Sequence, residues 1–144
     1  MKTSRRNQDR FSGFVLLEVL IAILIFSIGV LGLIGLQARS AKHSTDAKYR
    51  SEAALLVNQL LGNMWVSNRT VATLQSNFNT GGPAYNAWLS SVTATLPGVV
   101  ANTATAPTVT VDAAGVVSVA VFWIAPSDAQ AGTPHNITTV TQIR

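Results

Sequence analysis

The sequence predicts an α+β fold: one long N-terminal helix, transmembrane in its first half, packed on a small antiparallel β-sheet head. Three observations predict it. Residues 14–36 form a run of twenty-three residues dominated by apolar side chains. No proline precedes Pro83, so nothing breaks a helix that continues beyond this run. From Val109 to Trp123 apolar residues then recur at every second position, which is typical of strands with one buried face.

The apolar run is long enough to cross a membrane. As a helix it spans about 35 Å, against a bilayer hydrocarbon core of about 30 Å. It is longer than the apolar core of a secretory signal, and the "LQARSA" that follows it is not an A-x-A-like cleavage site. We therefore expect this helix to remain on the mature protein.

The composition of the chain argues against several kinds of binding site. Of the formal net charge of +4, residues 1–13 carry +3, from four basic side chains against one acidic side chain, and the rest of the chain carries +1. A nearly neutral remainder lacks the basic patch that phosphate binding needs, so we expect no nucleic-acid partner. The chain has no cysteine, which excludes disulfides and thiolate metal sites.

The helix is expected to continue from Arg39 to about Trp65 as an amphipathic segment. Its apolar residues recur at helical spacing and form one stripe: Ala53, Ala54, Val57, Leu60, Leu61, Met64 and Trp65. Residues 66–85, with the turn "NTGGP", are predicted to be a loop, and residues 85–96 a short helix that Pro97-Gly98 ends.

The remaining chain is predicted to form a small sheet of two to four strands. "DAAG" fits the turn of a hairpin between the two valine-rich strands, and residues 137–143 fit a last strand. Because a head without disulfides has too few residues for a large core, we expect its sheet to cover the apolar stripe of the helix.

Gly13, Phe14 and Glu18 stand at the start of the apolar run in the spacing Gly-Phe-x-x-x-Glu. With the basic leader before it, "GFVLLEVLIAILIFSIGVLGLIGLQA" resembles the class III signal of type IV pilins and type II secretion pseudopilins. The resemblance implies that a prepilin peptidase cuts after Gly13 and N-methylates Phe14. It also implies a leader at 1–13, a transmembrane or filament-core half-helix at 14–37 and a periplasmic pilin-like head at 38–144.

The following segment narrows the resemblance to PilV-type minor pilins. "GLQARSAKHSTDAKYRSEAALLVNQLLGNMWVSNR" resembles their helix, although Gly62 and Trp65 depart from the pattern, and "LPG" and "VSVAVFW" resemble later parts of that group. This implies a structural minor pilin that primes or joins a type IV pilus. It would pass from the inner membrane into the filament, with other minor and major pilins, the prepilin peptidase, the inner-membrane assembly platform and membrane lipid as partners.

Two further readings stay open. The same signal occurs in minor pseudopilins of type II secretion. A plain single-pass membrane protein with a periplasmic partner-binding head also explains a long apolar helix.

Glu18 is a carboxylate near the start of an otherwise apolar run. We interpret it as the partner of the Phe14 amine in an assembly salt bridge, because a buried carboxylate needs a counter-charge. The alternative is a side chain that reaches the membrane surface.

The helix also has a face suited to packing. At 100° per residue, this face lies within about ±40° of Glu18 and consists of Ala22, Ile25, Gly29, Gly32 and Leu36. Small residues let helices approach closely, although glycine is also common in membrane helices generally.

No residue pattern indicates catalysis or a cofactor. His43 and His135 are the only histidines, and neither has a partner at metal-ligand spacing in the sequence. The acidic residues Asp46, Glu52, Asp112 and Asp128 fit surface or turn positions, and no nucleophile, phosphate-binding or zinc-protease motif is present. We expect no enzymatic activity, no cofactor and no metal site.

Overall fold

The protein is α+β in a computed structural model that describes residues 8–101, 103–128 and 132–144. Three helices precede the sheet: α1 (Gln8–Val66), α2 (Val71–Phe78) and α3 (Pro83–Thr95). Three antiparallel strands then pair in the order β1-β2-β3: β1 (Thr108–Val111), β2 (Val116–Trp123) and β3 (His135–Gln142). The predicted combination of a long apolar N-terminal helix and a small antiparallel sheet is thus confirmed.

Helix α1 runs for 59 residues without a break. The chain divides into two units, of which the first ends at Lys42 and the second is His43–Arg144. The first seven residues of the expected leader 1–13 lie outside the described residues. The helix reaches Val66, close to the predicted end at Trp65.

The two valine-rich strands form the predicted hairpin. Val109 of β1 lies opposite Val119 of β2, and side chains on alternate positions of both strands are buried. The carboxylate of Asp112 closes the turn, because its Oδ1 accepts the N–H groups of Ala114 and Val116 at 2.8 Å each. Asp112 is therefore a turn residue, as expected. The last strand begins at His135, two residues before the predicted start.

The core of the head lies between α1 and the sheet, with α2 and α3 contributing to it. From α1 it takes five buried side chains: Ala53, Leu56, Val57, Leu60 and Met64. The indole Nε1–H of the buried Trp88 in α3 donates to the carbonyl of Leu56 at 2.9 Å, which ties α3 to α1. The Tyr85 hydroxyl donates to the carbonyl of Pro107 at 2.6 Å, and burial raises the pKa of this tyrosine above its ordinary value.

The predicted loop at 66–85 is wrong in its middle, where α2 forms. Leu74 and Phe78 are one helical turn apart and both are buried, so packing stabilises a helix of only eight residues. The end of α2 also covers the outer edge of β1. The Asn79 side chain accepts the N–H of Val111 at 2.7 Å, and Thr80 exchanges hydrogen bonds with Val109 at 2.9 and 3.0 Å.

The predicted apolar stripe of α1 needs one correction. Trp65 is 46% exposed, and its ring lies 5.9 Å from the guanidinium of Arg69. At 100° per residue Trp65 lies about 140° from Leu60, outside the buried face, whereas Leu56 lies only about 40° from it. Leu56 is therefore buried in its place, and Ala54 and Leu61 are half-buried at the margins.

Candidate functional site

The apolar half of α1 is uncovered along its whole length. Seventeen large apolar side chains between Phe14 and Leu36 are exposed, and no part of the most apolar window is buried. By length and composition this helix can cross a membrane. A patch of this size on a soluble protein marks a surface for lipid or for another protein. Whatever covers this half of the helix therefore lies outside the described chain.

The three residues of the predicted signal lie within this helix. Gly13 has open space where a Cβ would stand, and Phe14 and Glu18 are exposed. Four residues of helix separate Phe14 from Glu18, a rise of about 6 Å. The contacts of the described residues include no hydrogen bond or salt bridge to the Glu18 carboxylate. Among the described residues the Glu18 carboxylate therefore has no polar partner.

The predicted packing face is open as well. Ala22, Ile25 and Leu36 are exposed, and a Cβ placed on Gly29 or Gly32 would meet no atom within 4 Å. Because α1 is one continuous helix here, these residues fall on the same face as Glu18. The face has small residues, Gly29 and Gly32, in its middle and an acidic residue, Glu18, at one end. Its role in helix packing stays a prediction.

Comparison with protein-family models, curated proteins and solved structures finds no match in any of the three. The function must therefore be argued from the residues of the chain itself. The resemblance to pilins rests on the spacing of Gly13, Phe14 and Glu18 and on the helix that follows.

A second group of polar side chains lies in the head, and the sequence did not reveal it. Asp46 of α1, Asp128 before β3 and His135 at the start of β3 each offer one ligand atom, and these atoms lie within 4.8 Å of one another. His135 Nε2 is 2.9 Å from Asp128 Oδ2. Sequence spacing could not show this, because Asp46 stands far from the other two along the chain.

The buried side chain of Trp123 packs against His135 of this group. The His135 ring stacks on the indole, with centroids 5.7 Å apart and planes inclined by 18°. Asp46, Arg50, Trp123 and His135 line one shallow cleft. Stacking on the buried indole fixes the plane of the imidazole ring, and the hydrogen bond to Asp128 fixes the orientation of the ring within that plane.

Proposed function

We propose that this chain is a type IV pilin-like structural protein of the minor, PilV type, which primes or joins the assembly of a pilus. One observation carries the proposal. Gly13, Phe14 and Glu18 stand in prepilin spacing at the start of an apolar helix that nothing else in the described chain covers, and the same helix continues into a small α+β head. The chain is then an inner-membrane precursor whose processed form moves into a filament.

Processing would give Glu18 its partner. Cleavage after Gly13 leaves a free amine on Phe14, about 6 Å along the helix from Glu18. In a filament the carboxylate meets the apolar helices of neighbouring subunits, where an unpaired charge costs several kcal/mol. An amine and a carboxylate about 4 Å apart attract by about 4 kcal/mol at an effective dielectric constant of 20, before desolvation is subtracted. The amine is the Phe14 amine of the same or a neighbouring subunit.

Two other functions explain some of the same observations. A minor pseudopilin of type II secretion uses the same signal and differs in the filament that it joins. A single-pass membrane protein with a partner-binding head also explains the uncovered apolar helix. It gives no role to Gly13 and Phe14, however, and its leader stays attached.

N-terminal sequencing and intact mass of the mature protein test the proposal. The chain is expressed in a bacterium that assembles type IV pili, and the membrane and sheared-pilus fractions are compared. We expect an N-methylated Phe14 as the first residue, and we expect Gly13→Val to retain the leader because a β-branched side chain obstructs the scissile bond.

Gly35→Val is the matched control, since Gly35 also has open space at its Cβ position but stands far from the cleavage site. This variant should be processed normally. An intact leader on the wild type, or a normal Phe14 N-terminus in Gly13→Val, contradicts the proposal. Recovery of the processed protein in secretion pseudopili rather than in pili selects the pseudopilin alternative.

A further inference from the structure

The Asp46, Asp128 and His135 group brings together three parts of the head. Asp46 belongs to α1, Asp128 ends the short 3-10 turn Pro126–Asp128, and His135 begins β3. Their ligand atoms lie within 4.8 Å of one another, and each residue is half-buried. Two carboxylates placed so close repel each other unless a positive charge lies between them. A protonated His135, whose Nε2 lies 2.9 Å from Asp128, or a bound cation can supply that charge.

Two buried polar atoms beside this group lack a partner in the described chain. Asp46 Oδ1 is buried without a hydrogen bond, and so is Nε1 of Trp123, a side chain only 2% exposed. Both residues line the same cleft as His135. Buried polar atoms in folded proteins are nearly always satisfied, and a bound water or ion is one explanation of an atom that is not. Two such atoms at one cleft point to a ligand there.

The charges of the cleft fit a divalent cation. Asp46, the neighbouring Asp128 and a neutral His135 carry −2 together, and the exposed Arg50, which lines the cleft with Asp46 and His135, reduces this to −1. Mixed nitrogen and oxygen donors favour zinc-type ions, whereas calcium and magnesium prefer sites made of oxygen alone.

We propose that Asp46, Asp128 and His135 bind one divalent transition-metal cation of the zinc type. The imidazole binds through Nε2 in its neutral form, so the hydrogen bond between His135 and Asp128 is replaced by two bonds to the ion. Asp46 Oδ1 gains the partner that it lacks.

Three protein ligands leave a fourth position for water, and the Trp123 indole N–H is a donor available to that water. The ion links α1 to the start of β3 and thereby fastens the loop between β2 and β3. This departs from the expectation of no metal site, which rested on sequence spacing alone. The site does not depend on the pilin proposal, because all three ligands lie in the head.

The test uses the full-length chain in detergent micelles, stripped of metal with a chelator and dialysed. Zn²⁺ is titrated and followed by equilibrium dialysis and by the thermal unfolding midpoint, and Co²⁺ is titrated and followed by its visible absorption. We expect one ion per chain, a dissociation constant below about 1 mM, and a Tm rise of about 5 °C at saturation. Asp46→Asn should weaken binding at least about tenfold, because an amide oxygen replaces a charged ligand.

Matched controls separate this site from general attraction of cations. Glu52→Gln removes another carboxylate of α1, and His43→Ala removes the other histidine of the chain, so both should bind as the wild type does. Asp46→Asn keeps the side-chain volume, and tryptophan fluorescence of the metal-free variant verifies its fold. His135→Ala should also lose binding, but Asp46→Asn decides the result if that variant unfolds. Absence of one-to-one binding up to about 1 mM, or an equal loss of affinity in either control, overturns the proposal.

Discussion

The two halves of α1 differ in what surrounds them. Between Phe14 and Leu36 seventeen large apolar side chains are exposed, whereas Ala53, Val57 and Leu60 in the second half are at most 1% exposed. Both halves share one continuous helical backbone. Helix formation depends on local hydrogen bonds, but burial depends on neighbouring elements, and only the second half has such elements within the described chain. The first half is therefore an apolar surface that the described chain leaves uncovered, and the second is part of the head.

The difference is also visible in sequence pattern. Apart from Glu18, the first half is apolar on nearly every side, as is typical of a helix surrounded by lipid or by other helices. The second half has apolar residues on one face and charged residues such as Lys48 and Glu52 outside it. The exposed Lys48 and the half-buried Glu52 form a pair at 3.8 Å. The amphipathic half is fixed to its sheet.

The largest expected effect is on assembly, from Glu18→Val in the first half. The variant should insert in the membrane and be cleaved, because Glu18 lies near the end of the span, where charge is tolerated. In a filament the Phe14 amine then lacks its partner, and we expect depletion from sheared pili by about tenfold or more. The measurement is an immunoblot of pili against membranes, with the N-terminus verified.

Glu52→Gln is the matched control, since it removes a half-buried acid from the second half of the same helix. It should reach pili at the wild-type ratio. If Glu18→Val reaches pili as efficiently as this control, then Glu18 has no role in assembly and lies at the membrane surface only.

A pair of leucine truncations compares the two halves directly. Leu60→Ala removes a fully buried side chain, and we expect it to lower the free energy of unfolding of the head by about 3 kcal/mol. Leu24→Ala makes the same chemical change on the exposed half and should leave that free energy unchanged within about 0.5 kcal/mol. Urea unfolding of the full chain in detergent, followed by tryptophan fluorescence, measures both, since Trp65, Trp88 and Trp123 all lie in the head. Equal effects would mean that the first half also packs on the head.

An effect of similar size is expected at Gly98, in the "LPG" turn. Its φ is +72°, and a Cβ there would stand 2.7 Å from the Cβ of Ile124, while the adjacent Pro97 carbonyl accepts the Ile124 N–H at 2.9 Å. Gly98→Ala should therefore cost about 3 kcal/mol, from backbone strain and the clash together. Gly132 has a similar φ of +64° with open space around it, so Gly132→Ala should cost only about 1 kcal/mol. Equal costs in urea unfolding would show that the contact with Ile124 contributes nothing.

The smallest effect concerns pH. Burial raises the pKa of Tyr85 above 10.0, so the unfolded chain releases this proton before the folded chain does. The folded state then binds more protons, and stability is constant below the unfolded value and falls as pH rises through 10. Tyr85→Phe loses the bond to Pro107, about 1 kcal/mol at neutral pH, but its stability should fall less steeply above pH 10. Parallel curves for the two proteins between pH 9 and 11 would contradict this assignment.

The elements with strong periodicity were predictable from the sequence, and those fixed by tertiary contact were not. The alternating valines of β1 and β2 and the Asp112 turn carry local signals, and they form as predicted. Helix α2 has only eight residues, and only Leu74 and Phe78 among them are buried, so its sequence carries little helical periodicity and resembles a loop. Its stability comes from burial of that pair, and no local pattern reports burial.

The candidate sites divide in the same way. Gly13, Phe14 and Glu18 are close in sequence, so their spacing alone predicts a signal. Asp46 and His135 are brought together only when α1 and β3 pack in one head, and no spacing rule could connect them. The exposure of Trp65, by contrast, follows from helical spacing alone, which places it about 140° from Leu60.

The two edge strands of the sheet, β1 and β3, differ in their hydrogen bonding. Asn79 and Thr80 occupy the main-chain groups along the outer edge of β1, whereas no backbone hydrogen bond among the described residues reaches the outer edge of β3. The sheet therefore has one open edge. A further strand can pair with β3, whereas the edge at β1 is covered. The sequence of β3, "HNITTVTQ", contains no lysine, proline or acidic residue. It therefore lacks the residues that usually prevent an exposed edge strand from pairing with another chain.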